Sequence, residues 1–140
     1  MVMLDTNILI RAIRQPAHPV TAKLLEFLGG GLCISSVTWT ELIYGVYRSA
    51  NPDRNLQAVQ QLLSGIPILP FDTEAATHAG IVMATLAKSG MPIGDRDALI
   101  AGHARSLNFK LITHNVREFA RVPGLKVEDW LAETKSETKS

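Results

Sequence analysis

A handful of carboxylates in this chain stand where they can do more than keep a surface wet. Asp5 directly follows the apolar run Val2-Met3-Leu4. Glu41 lies in Ser36-Val37-Thr38-Trp39-Thr40-Glu41, and Asp95 and Asp97 open Asp95-Arg96-Asp97-Ala98-Leu99-Ile100-Ala101. Asn115 follows another apolar run, Lys110-Leu111-Ile112-Thr113. Carboxylates and amide oxygens, without Cys or His, suit Mg²⁺ or Mn²⁺ rather than zinc. Brought together without a cation they repel, by roughly 4 kcal/mol per pair at 4 Å for an effective dielectric of 20. One or two divalent ions repay that cost, activate water and stabilise in-line attack on a phosphate.

Each residue also has a purely structural explanation. Asp5 can cap a helix that starts near Asn7, and a cap can face a metal as well. Thr38 and Glu41 match a T-x-x-E capping box, although Ser35 and Ser36 are better placed to start that helix. Glu41 then falls on one stripe with Val37 and Tyr44. Asp95, directly after Gly94, reads as an N-cap, and acids in a first turn complement the helix dipole. Asp97 shares the core-facing stripe of Ile100, Ala101 and Ala104, which aims it toward a sheet edge. Asn115 alone is a turn or cap residue. His18, His78, His103 and His114 show no metal-ligand spacing. His103 reads as a packed or surface helix residue, and His114, beside Asn115, can reach a substrate.

The elements that must position these residues alternate. Short apolar runs at Val2-Met3-Leu4, Leu32-Cys33-Ile34, 66–71, 109–113 and Leu125-Lys126-Val127 read as strands. The run at 66–71 contains prolines and reads as a strand at an edge or a short one. Helices are expected over 8–13, 21–28, from Ser35 or Ser36 to about Ser49, from Asn51 to about Leu63, from Asp72 or Thr73 to Lys88, and over 95–107. Strands separated by helices predict an α/β fold with a central parallel sheet flanked by helices. In such a sheet the site lies at the carboxyl ends of the strands, where Asp5 and Asn115 fall.

The 140 residues fit one domain, with a net charge of +1, so any positive charge for nucleic acid must be local. The single Cys33 excludes an internal disulfide and reads as a core thiol. No run approaches the length of a membrane span, and no signal peptide is evident, so a cytoplasmic location is expected. The closing Glu-Thr-Lys-Ser repeat, 133–140, reads as a disordered polar tail after a domain over 1–132.

Taken together and in order, these segments resemble PIN-domain VapC toxins. Met3-Leu4-Asp5-Thr6-Asn7, the stretch from Ile34 to Gly45, the stretch from Pro92 to Ala104, and Leu111 to Phe119 with Val122-Pro123-Gly124-Leu125 carry the resemblance, which runs from Val2 to about Trp130. It implies a PIN-like fold and a Mg²⁺-dependent endoribonuclease, in which Mn²⁺ can substitute. It also implies a homodimer neutralised by a VapB-like antitoxin. The metal ligands implied are Asp5, Glu41 and Asp97. The fourth acidic position falls on Asn115, a neutral departure that puts a second metal in doubt. Thr6 and Thr113 fall on hydroxyls near the metal, with Asn7 and Asp95 as secondary positions. Similar toxins cut initiator tRNA in its anticodon region, the preferred substrate here. Arg96, Arg11 and Arg14, then Arg105, Lys110 and Arg117, are candidates for phosphate contacts. The competing readings are a PIN nuclease for other structured RNA or DNA flaps, a non-catalytic RNA-binding PIN module, and a receiver-like signalling domain. The last lacks a suitable acid on its middle strand, since Asp72 reads as a helix cap.

Overall fold

A computed structural model describes residues 1–131. The expected tail at 133–140 and the boundary at 132 lie outside them. The elements run β1 (Val2–Leu4), α1 (Thr6–Arg14), α2 (Pro19–Glu26), β2 (Leu32–Ser35), α3 (Ser36–Arg48) and α4 (Pro52–Leu63). They continue with β3 (Ile68–Leu69), α5 (Thr73–Lys88), α6 (Asp95–Ser106), β4 (Lys110–Ile112), α7 (Val116–Phe119) and β5 (Val127–Glu128). All strand pairs are parallel, in the order β3-β2-β1-β4-β5. The chain winds outward from β1 to β3, then returns to place β4 on the free side of β1. That reversal opens a crevice beyond the carboxyl ends of β1 and β4.

Alternation along the strands divides the core between two faces. Leu4, Leu32, Ile34 and Ile112 pack with α1 to α4, whereas Met3, Cys33 and Leu111 pack with α5, α6 and Phe119 of α7. The Cys33 thiol is fully buried, and burial pushes its pKa up to about 11, so it is an inert core group.

Small residues let α5 and α6 lie in close contact. A Cβ at Gly102 would stand 2.4 Å from the backbone of Ala79. The Ala-rich sequence of α5 therefore sets how deeply α6, and the acids at its N-terminus, sit against the sheet.

The expected elements are present, with shifted ends. β3 shrinks to the residues between Pro67 and Pro70 and lies at the sheet edge. α2 starts earlier than expected, because Pro19 is at its N-terminus and the His18 ring accepts from the Val20 amide at 3.0 Å. α7, which the sequence pattern does not announce, is a single turn. No helix among the described residues is long and apolar enough to cross a membrane.

Candidate active site

Asp5 ends β1 and caps α1. Its Oδ1 accepts from the Thr6 amide at 2.8 Å, and its Oδ2 accepts from the Thr113 hydroxyl at 2.8 Å. The helix cap and the first candidate site acid are therefore the same carboxylate. It is only 4% exposed. Burial raises its pKa, the donors from Thr113 and Thr6 oppose the rise, and the charges of Glu41 and Glu118 add to it.

Glu41 is no capping-box residue. Ser35 caps α3, its Oγ accepting from the Val37 amide at 3.0 Å, while the Thr38 hydroxyl is buried without a partner. Glu41 projects from the second turn, where the Thr6 hydroxyl donates to its Oε1 at 2.5 Å. Arg96 Nη1 stands 3.6 Å from its other oxygen. Thr6 and Thr113 thus each hold one carboxylate in place.

At α6 the expectation for Asp95 needs correction. Gly94 is the N-cap, in extended conformation, and no side chain supplies a cap bond. Asp95 is already the first helical residue and is exposed. Its role narrows to a first-turn charge facing the helix dipole. Asp97, two residues on, is partly buried, and its Oδ2 folds back to 3.7 Å from where a Cβ on Gly94 would lie. Burial pushes its pKa up to about 6, with contributions from Asp5, Glu118 and Glu41.

Glu118 was not singled out from the sequence. Asn115 Nδ2 donates to Glu118 Oε2, and the Asn115 amide donates to the Thr113 hydroxyl at 3.0 Å. A chain of contacts thus runs from Asp5 through Thr113 and Asn115 to Glu118. The available signal was the spacing: residues 115 and 118 share a face once 116–119 is known to be helical.

Asp5, directly after β1, and Asp97 of α6 therefore each sense the charges of Glu41 of α3 and Glu118 of α7 around the crevice. Each is held by protein donors or by burial. Among the described residues, no three acidic, His or Cys side chains already stand in ligand positions about one point. The donor set still fits a hard divalent cation. It is all oxygen, and the proton affinities of Asp5 and Asp97, raised first by burial and further by the neighbouring carboxylates, mark acids whose charge a bound cation would compensate.

The other expected residues divide. Arg96 stands at the mouth, and Arg14 lines a groove of about 190 Å³ that also includes Glu41. Arg11 lies half-buried in the last turn of α1, and Asn7 is exposed in its first. Arg105 and Lys110 lie away from the crevice. Arg105 donates to the Pro123 carbonyl at 3.2 Å and Lys110 pairs with Glu128 at 2.8 Å, both at the far ends of their elements from the site. Arg117 borders a separate depression with Met91 and Arg121. His103 is a packed residue: buried, Nδ1 2.8 Å from the Ser35 hydroxyl, edge-on to Phe71, with its pKa lowered by burial. His114 contacts Asp129 at 3.1 Å on the surface.

The PIN domain family profile matches residues 2–125. The chain belongs to the PIN-domain family. Within it, the chain is 48% identical over 128 residues to the tRNA(fMet)-specific endonuclease VapC of Shigella flexneri, covering 91% of this chain and 96% of that one. It is 40% identical to the ribonuclease VapC2 of Haemophilus influenzae, covering 92% and 97%. The DNA-bound VapBC structure from Salmonella typhimurium superposes with a TM-score of 0.87 at 42% identity, covering 93% of this chain and 99% of that chain. VapBC2 from Rickettsia felis gives 0.88 at 34% identity, covering 93% and 99%. These identities place this PIN domain among the VapC nucleases. PIN nucleases generally depend on a divalent metal.

Proposed function

We propose that this PIN domain is the toxin of a toxin–antitoxin pair, an Mg²⁺-dependent endoribonuclease that cuts initiator tRNA in its anticodon region. The observation that carries the reading is the gathering of Asp5, Glu41, Asp97 and Glu118, close enough for Asp5 and Asp97 to sense the two glutamates, around the crevice beyond β1 and β4. The identity to the Shigella flexneri endonuclease supports the substrate.

Asp5, Glu41 and Asp97 would hold the Mg²⁺, with Mn²⁺ as a substitute, and Glu118 supplies the fourth carboxylate that Asn115 does not. The ion, when bound, supplies the charge that activates water and neutralises the reacting phosphate. The chain's own contribution is placement. Thr113 and Thr6 fix the Asp5 and Glu41 oxygens, Asn115 orients Glu118, and Arg96 offers a cation to the incoming backbone. Arg14 lines the groove beside Glu41, and Asn7 and Arg11 on the same helix α1 are further candidates for contact with the RNA.

The inhibitor is a VapB-like antitoxin. The VapBC structures of the relatives support it, and the groove beside Glu41 suits it. Ile10, Ile13, Leu42, Val46 and Val59 give that groove an apolar floor, and Glu41 invites a partner arginine. The reading extends to a homodimer in the cytoplasm, where its tRNA is found.

The test is cleavage of initiator and elongator tRNA by purified protein, with the cut mapped. Cutting in Mg²⁺, silence in excess EDTA, and restored growth on co-expression with the adjacent small protein are expected. Undiminished cutting in EDTA overturns the metal reading, and an antitoxin that neither binds nor rescues overturns the pairing.

A further inference from the structure

The outer face of α3 holds an aromatic ring that the carboxylate site does not explain. Tyr44 lies one turn after Glu41 and is 52% exposed. Two guanidinium groups from different helices reach its ring. Arg48 of α3 has its Cζ 5.4 Å from the ring centroid and donates to the Tyr44 hydroxyl at 3.0 Å. Arg96 of α6 has its Cζ 5.8 Å from the same centroid, while its Nη1 faces Glu41 at 3.6 Å. An Arg and a Tyr four apart on a helix make an ordinary surface pair. A second arginine, from another helix and shared with a site carboxylate, is not part of that pattern.

Electrostatics gives the arrangement a purpose. A pocket of four carboxylates repels a polyanion, and the chain's net charge of +1 provides no general attraction. Cations at the mouth of the pocket must draw the backbone in. A rigid, half-exposed aromatic ring beside them is what a splayed-out base stacks on once the guanidinium groups turn from the ring to phosphate.

We propose that Tyr44, Arg48 and Arg96 form a nucleotide clamp that seats the RNA residue next to the scissile phosphate. The base stacks on the Tyr44 ring, and the two guanidinium groups take the adjoining phosphate oxygens. This rests on the ribonuclease reading and adds to it positioning residues outside the four carboxylates.

The test is steady-state cleavage of initiator tRNA in Mg²⁺ across a salt series, with thermal melts of every variant. Tyr44→Ala is expected to lower kcat/KM roughly 5- to 100-fold, chiefly through KM. Tyr44→Phe keeps the stacking face and is expected to restore most of it, whereas Tyr44→Leu, apolar without a π-face, is not. Arg48→Ala is expected to flatten the salt dependence by about one counterion. Unchanged kcat/KM in both Tyr44→Ala and Tyr44→Leu, with an active wild type, overturns the clamp and leaves the nuclease standing. A wild type that cuts no RNA overturns the nuclease reading itself.

Discussion

The Thr113 hydroxyl donates to Asp5 Oδ2 at 2.8 Å, joining the end of β4 to the end of β1 across the point where the strand order reverses. Both groups are buried, so the bond is not exchanged for water. The same hydroxyl accepts from the Asn115 amide, so it also sets where α7 begins.

Thr113→Val keeps the shape and removes the donor. It is expected to cost about 1–3 kcal/mol, because a buried carboxylate loses a partner. It should raise the proton affinity of Asp5 further and depress cleavage, while Thr113→Ser restores both. Urea unfolding in EDTA with RNase assays in Mg²⁺ checks this. A fully active, fully stable Thr113→Val would show that the bond does nothing for the site.

Asp97→Asn should abolish cleavage and stabilise the protein in EDTA at neutral pH. The Asp97 pKa is raised from 3.8 to about 6, so across that interval the folded chain binds more protons than the unfolded one. Stability from this group therefore falls as pH rises from about 4 to 6, then levels off. The variant should match the wild type near pH 4 and melt higher at pH 7. Equal melting temperatures at both pH values would contradict the raised proton affinity that burial and the neighbouring carboxylates give Asp97.

Asp95 separates from Asp97 in the same assays. Because Gly94 is the cap, Asp95→Ala removes only a first-turn charge, worth about 0.3–1 kcal/mol, and should leave most activity. A dead Asp95→Ala beside an active Asp97→Asn would exchange their roles.

Glu118→Gln keeps the Asn115 contact possible and removes one charge from the crevice. Divalent-ion affinity, read by calorimetry, is expected to fall at least about 10-fold, and Asp97 should titrate lower. Asn115→Ala should have a smaller effect, through the orientation of Glu118. Unaltered ion binding in Glu118→Gln would remove it from the site.

Gly102→Ala tests the support beneath the site. An added Cβ meets the Ala79 backbone at 2.4 Å, so the helices must part. The expected cost is about 1–3 kcal/mol, with a loss of activity transmitted through the displaced α6. An unchanged melting temperature would show that α5 and α6 separate freely.

Much of this protein follows from its residues taken in order. The alternation of apolar runs and helices leads to a parallel sheet, because each βαβ step leaves no other economical way to bury both faces. Asp5 is legible as cap and site together, since it directly follows a buried strand. The family pattern points, before any coordinate does, to Asp5, Glu41 and Asp97, three of the carboxylates that the fold gathers at the crevice. Only the tertiary structure decides the rest, because the deciding contacts join residues far apart in the chain. Thr113 reaches Asp5 across 108 positions and Thr6 reaches Glu41 across 35. The one-turn helix α7 is too short to leave a periodic signal, so Glu118 stayed hidden behind Asn115. The cap of α6 turned on whether Gly94 or Asp95 takes the last extended conformation, and local sequence permits both. The pairing of Arg96 with Tyr44 and Glu41 depends on how α6 docks beside α3. That docking depends in turn on Gly102 letting α6 settle against Ala79, a close approach that no single helix contains.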